Sequence, residues 1–148
     1  MQKALNQIDN SRFSALLHEA ARLWRQRLDR RLRHLDLSQS QWMVLLKVPA
    51  GGLTQKVLAE SVGVEGPTLV GLLDRLERNG WIERGVCHED RRAKRVVLTP
   101  KARQARAAVR KIATGLRRDI LAGIDEPRVE QCMAVLGEIK QRLESIDD

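Results

Sequence analysis

Cysteine is scarce in this chain of 148 residues: there are two, Cys87 and Cys132, with no pattern of close pairs. That argues against a disulfide-stapled secreted scaffold and against a structural zinc site. Aromatic residues are few, one Phe and three Trp with no Tyr. Nowhere do about 18 apolar residues follow one another, so no segment is expected to cross a membrane. The opening run MQKALNQIDN lacks a basic stretch followed by an apolar one, so no secretory leader is expected. A soluble, cytoplasmic chain is the resulting expectation. G-x-S-x-G, the P-loop, H-E-x-x-H and a paired arrangement of catalytic carboxylates are all missing, which leaves an enzyme poorly supported. No metal or cofactor site is expected.

What the chain has in quantity is positive charge. Lys and Arg number 27 against 19 acidic residues, a formal net charge of +8. So basic a balance favours polyanionic partners, and nucleic acid is the commonest inside a cell. Hydrophobic residues make up 43% and charged residues 31%, the proportions of a globular protein. At this length a core forms without staples.

Apolar residues at Phe13, Leu16, Leu17, Ala20, Leu23, Trp24, Leu28 and Leu32 step by threes and fours and predict an amphipathic helix from Arg12 to about Leu35. Its other faces carry Arg22, Arg25, Arg27, Arg30, Arg31 and Arg33. Ser38 caps a second helix that runs through Trp42 until Pro49, and Pro49-Ala50-Gly51-Gly52 reads as a loop.

Thr54 caps a short helix, Gln55 to Ser61. Gly63 stands where that helix must stop and the backbone take a positive φ. Pro67 suits the first turn of a further helix, with Leu69, Val70, Leu72, Leu73 and Leu76 on or near one side and an end at Asn79-Gly80. Two short helices joined in this way make a helix-turn-helix. The segments 81–87 and 94–98, each fairly rich in β-branched or aromatic residues, flank a polar tip containing Asp90-Arg91-Arg92 and predict a β-hairpin. A basic hairpin directly after a helix-turn-helix is a wing.

Thr99-Pro100 starts a long helix with the stripe Ala102, Ala105, Val109, Ile112, Leu116 and Ile120. The last helix starts at Asp125 and Pro127, with the stripe Val129, Cys132, Met133, Leu136, Ile139, Leu143 and Ile146. Both have the spacing of helix-packing seams. The expected fold is mainly α with a small β-hairpin wing, a single domain over 1–148. A winged helix-turn-helix spans 38–99, with the helix-turn-helix at 54–79 and the wing at 81–98. Dimerisation helices occupy 1–37 and 100–148.

The run VGVEGPTLVGLLDRLERNGWIERGVCHEDRRAKRVVLT, with Asp90, Arg92, Leu98 and Thr99 in the wing, resembles the MarR family, and its SlyA-type branch in particular. The opening ARLWRQRLDRRLRHLDLSQSQW is similar to the same branch. The resemblance implies homodimers with interlocking terminal helices, a palindromic site on double-stranded DNA, and modulation by small phenolic or anionic ligands. In similar proteins of that branch the position of Gly71 usually carries an Arg that reaches bases. Here there is no side chain.

In this frame Thr68, near the start of the second helix of the pair, is placed at base edges in the major groove, with Arg75 further along on phosphate or base. Thr54, Gln55 and Pro67 join the same DNA-facing set. Arg92 is placed in the minor groove, where narrow walls concentrate negative potential, with Asp90 bracing it. Arg91, Lys94 and Arg95 are assigned to phosphates. Phe13, Leu16, Ile112, Leu116, Ile120, Leu136, Ile139 and Leu143 are assigned to dimerisation. Trp24 and Trp42 are read first as core residues; a ligand site near them would draw on Arg22. His34 reads as a surface or capping residue, Cys132 as a small buried hydrophobe and Cys87 as inert rather than redox-active. The rival functional class is an architectural DNA-binding protein with little sequence preference, to which the net charge and Gly71 both lend weight.

Overall fold

The computed structural model describes residues 10–64, 66–86 and 92–146. Asp90, Arg91 and Cys87 lie outside the described residues. Helix α1 (Asn10–Leu32) is followed by a single 3-10 turn, Arg33–Leu35. Then come α2 (Gln39–Lys47), β1 (Leu53–Thr54), α3 (Gln55–Val62) and α4 (Gly66–Arg78), strands β2 (Ile82–Val86) and β3 (Lys94–Leu98), and helices α5 (Pro100–Leu121) and α6 (Glu126–Ser145). The chain divides into two compact units, one to Ala113 and one from Thr114.

Local chemistry sets most boundaries in the first unit. Ser38 forms a capping box with Gln41: its hydroxyl accepts from the Gln41 N–H at 3.3 Å, while Gln41 Oε1 accepts from the Ser38 N–H at 3.0 Å. Thr54 caps α3 by accepting from the Val57 N–H at 3.3 Å. Gly63 ends α3 in the left-handed region at φ 67, and its N–H donates to the Ala59 carbonyl.

The core of this unit is wholly apolar, with no buried polar or charged residue among those described. Leu32, Val44, Leu45, Val48, Leu58, Leu73, Leu76, Val96 and Val109 have no exposed surface. Each leucine so buried contributes about 1.5–3 kcal/mol. They come from α1, α2, α3, α4, β3 and α5, so the helix-turn-helix is held on every side but its outer one.

The sheet has three strands in the order β1-β3-β2, all antiparallel. Ile82 faces Leu98 and Arg84 faces Val96 across the hairpin, and Leu53 pairs with Val96 on the other edge. The two-residue strand β1 is an addition to the expected hairpin. It depends on Gly52, which is buried at φ 76; a Cβ there would lie 2.6 Å from the Val96 carbonyl oxygen and 2.9 Å from Val97 Cγ2. Only glycine lets the chain cross β3 so closely.

Several apolar residues are placed differently from expectation. Val70, grouped with the inward leucines, is 44% exposed. Helix α1 buries only the C-terminal end of its apolar stripe: Leu28 and Leu32 are buried, whereas Phe13, Leu16, Leu23 and Trp24, nearer its start, are exposed. Trp24 is therefore not a core residue, and Trp42 is. Cys132, expected to be buried, is exposed, because α6 has no buried residue at all. Leu116, assigned to dimerisation, is already buried within one chain at 3% exposure.

Candidate nucleic-acid interface

Helix α4 is anchored by Leu69, Leu72, Leu73 and Leu76, which leaves Gly66, Pro67, Thr68, Val70, Gly71, Arg75 and Arg78 exposed. The anchoring residues recur every three or four positions, so the outward residues form one continuous face. The N-terminal half of that face bears no ionisable group among the described residues; the first are Asp74 and Arg75.

Arg84 joins the wing to this helix. Its Nη2 lies 2.6 Å from Asp74 Oδ1, its Nε 3.1 Å from Glu77 Oε2, and its backbone N–H donates to the same Glu77 oxygen at 3.1 Å. The hydrogen bond from Arg84 holds the Glu77 carboxyl below its ordinary pKa, against an opposing effect of burial. The same bond, with that to Asp74, raises the pKa of Arg84. Two carboxylates gripping one planar guanidinium fix the angle between α4 and β2 more firmly than a single lysine pair does.

Two further cations act as braces. Arg95 donates to the Gly51 carbonyl from Nε at 3.0 Å and from Nη2 at 2.6 Å, which ties β3 to the loop before β1. Arg106 donates to the Val48 carbonyl at 2.7 Å and so ties α5 to the end of α2. Burial lowers the Arg106 pKa, and the neighbouring Arg110 and Arg103 add to that effect. At the root of the wing Lys101 donates to the Asn79 carbonyl at 3.0 Å, and its Nζ lies 4.1 Å from the centre of the Trp81 ring.

The structure thus divides the residues expected at DNA into two groups. Pro67, Thr68, Arg75, Arg92 and Lys94 are exposed on α4 and the wing. Thr54, Gln55 and Arg95 are half-buried: the Thr54 hydroxyl serves as a helix cap, the Gln55 Oε1 is buried without a hydrogen-bond partner, and Arg95 holds backbone carbonyls. Arg84, Gly52 and Arg106 were not anticipated. Arg84 sits ten residues from Asp74 and seven from Glu77, on a strand while they are on a helix, so the periodicity of neither element announces the group.

The residues expected near a ligand are not assembled into a site. Trp42 is 4% exposed and donates its indole N–H to Asp29 at 3.3 Å, while Arg22 and Trp24 are exposed on α1. A cavity of about 490 Å³ lies at the start of α2, lined in part by Asp29, Arg33, Asp36, Ser38 and Gln41. Two carboxylates stand there against one guanidinium. No cluster of three or more metal-binding side chains occurs among the described residues. His34 is exposed, as expected.

Comparison with known proteins bears on the whole arrangement. Residues 37–94 match the model of the MarR family. The chain is similar to the transcriptional regulator PA3341, at 50% identity over 90% of this chain and 99% of that one, with a TM-score of 0.84. It is similar to MepR of S. aureus, solved in complex with DNA, at 27% identity over 88% and 97% of the two chains, with a TM-score of 0.77. A mutant MarR from E. coli complexed with operator DNA shares the fold at 23% identity, over 85% and 91%, with a TM-score of 0.76.

Proposed function

The chain belongs to the MarR family and is a DNA-binding transcription regulator, and on that footing we propose that it works in the cytoplasm as a homodimer on a palindromic operator, modulated by a small molecule. One observation carries the dimer. Helix α6 buries none of its residues within a single chain, although Met133, Val135, Leu136, Leu143 and Ile146 are each 42–66% exposed. Apolar surface on that scale is stabilised by a partner. Phe13, Leu16 and Ile120 present further exposed apolar surface, and Ile112 and Ile139 are half-buried.

A two-fold dimer offers two α4 helices to one face of a duplex, so half-site centres fall about one helical turn, roughly 10 bp, apart. Arg92 enters the minor groove from the wing, Lys94 meets phosphate, and Arg75 meets phosphate or base. The small molecule has only the resemblance behind it: the cavity at the start of α2 gives an anion no net attraction. The SlyA-type branch rests likewise on the quoted recognition-helix and wing run.

The test selects bound duplexes from a random pool and measures their affinity at about 50 and 200 mM salt. An enriched inverted repeat supports the reading. Binding with equal affinity to every sequence overturns it in favour of an architectural protein. On the selected duplex, Arg92→Ala should cost about 1–3 kcal/mol beyond its effect on random DNA, whereas Lys94→Ala should weaken both alike and lower the salt slope by about one.

A further inference from the structure

The part of α4 nearest its start is unusual for a surface that reads bases. Gly66, Pro67, Thr68, Val70 and Gly71 are all exposed. None of them has the forked donors with which Arg reads guanine, nor the amide with which Asn or Gln reads adenine. Val70 is 44% exposed although four leucines of the same helix are buried, so a β-branched hydrocarbon faces outward by placement. A Cβ built at Gly71 meets nothing within 4 Å, so the backbone there lies bare.

Beyond this neutral strip the winged module exposes Lys56, Arg75, Arg78, Arg92 and Lys94, alongside Glu60, Glu77 and Glu83. A neutral strip with Arg75 and Arg78 further along the same helix complements a major groove, whose walls are phosphates. Among the four bases only thymine adds an apolar group to that groove, its C5 methyl.

We propose that this protein recognises thymines by their methyl groups, with Val70 and the Thr68 methyl seated against them and the bare backbone at Gly71 letting the helix approach closely. The inference rests on the reading that α4 enters the major groove of a selected operator. It names the base and the atoms read there.

The experiment takes the selected duplex and replaces its thymines one at a time with deoxyuridine. This removes the methyl group and leaves base pairing intact. The native protein should lose about three- to fivefold in affinity at one or more thymines in each half-site, the worth of one buried methyl. Val70→Ala should abolish that penalty at one set of symmetry-related thymines, and Thr68→Ser, which keeps the hydroxyl, at another. Both positions are exposed, so folding is checked by comparing thermal melts. Selective binding that no deoxyuridine replacement changes overturns the proposal while leaving the operator reading intact. Penalties that persist unchanged in both variants overturn the assignment of Val70 and Thr68. Failure of the pool to yield any preferred duplex overturns the operator reading and this inference together.

Discussion

The winged module and the last helix solve the same problem in opposite ways. In the module, leucines from four helices close on one another and on Val96 of the sheet until many have no exposed surface. Helix α6 carries a comparable apolar stripe, yet Leu143 is 65% and Met133 66% exposed. The module buries its leucines within one chain, whereas α6 leaves its stripe uncovered there. Its polar face is bland: two i,i+4 pairs, Lys140 with Glu144 and Arg142 with Glu138, each largely exposed and worth at most a few tenths of a kcal/mol. No residue of α6 is buried as the leucines of α4 are, so in the homodimer proposed above the partner chain would supply the packing that α6 lacks.

The largest effects should separate the two regions directly. Leu76→Ala opens a cavity in a fully enclosed site and should destabilise folding by about 2–5 kcal/mol at any protein concentration. Leu143→Glu should instead convert the dimer to monomer, read by sedimentation at micromolar concentration, through burial of an unpaired charge in the paired state. If Leu143→Glu sediments as the native protein does, the stripe on α6 is not the dimer seam and the comparison fails. Gly52→Ala tests whether the module tolerates any loosening. It combines a left-handed backbone with contacts to Val96 and Val97 that are too short, and should cost about 2–4 kcal/mol in urea unfolding.

A smaller effect concerns the join between α4 and the wing. Arg84 holds the folded-state pKa of Glu77 below its unfolded value, so the pair's contribution is present in full above the ordinary carboxylate range, about 4.3. It is lost as pH falls through the lowered folded value. The stability gap between the native protein and Glu77→Gln should therefore be constant near neutrality and close in acid. A gap that stays the same down to pH 3 would show that the charge on Glu77 adds nothing. Arg84 remains protonated throughout and contributes no pH dependence of its own.

The same contrast governs what could be read from the sequence. Helix limits, the Thr54 cap, the Gly63 stop and the hairpin follow from local rules, because a cap or a left-handed turn is decided by two or three neighbours. Periodicity also picked out the buried leucines of α4, though it grouped the exposed Val70 with them. It could not say which stripe meets the chain's own core. Trp24 and Leu28 are four residues apart on the same stripe of α1, yet one is exposed and the other buried, because only the C-terminal end of that stripe meets the chain's own core. Leu116 and Leu143 were assigned alike and have opposite surroundings. The strand β1 and the bond from Arg106 to Val48 join segments far apart in the chain, and the Arg84 group links a helix to the following strand across a turn; neither kind of link leaves a periodic trace.

The smallest predicted effect sharpens the comparison from the side of the module. Gly71 lies in the interior of α4, four helical residues beyond Pro67, with open space where a Cβ would stand. Glycine in a helix interior costs about 1 kcal/mol relative to alanine, because its unfolded backbone has more freedom to lose. Gly71→Ala should therefore stabilise the protein by about 1 kcal/mol, seen as a raised urea midpoint with an unchanged slope. The gain belongs to a helix that folds within one chain, so it should be the same at low and high protein concentration. A change on α6 should instead vary with concentration, as mass action requires of a paired surface. If Gly71→Ala gave no gain, α4 would not be limited by helix propensity at that point. If its gain grew with protein concentration, α4 would depend on the dimer as α6 does, and the division between a self-sufficient module and a partner-dependent helix would have to be given up.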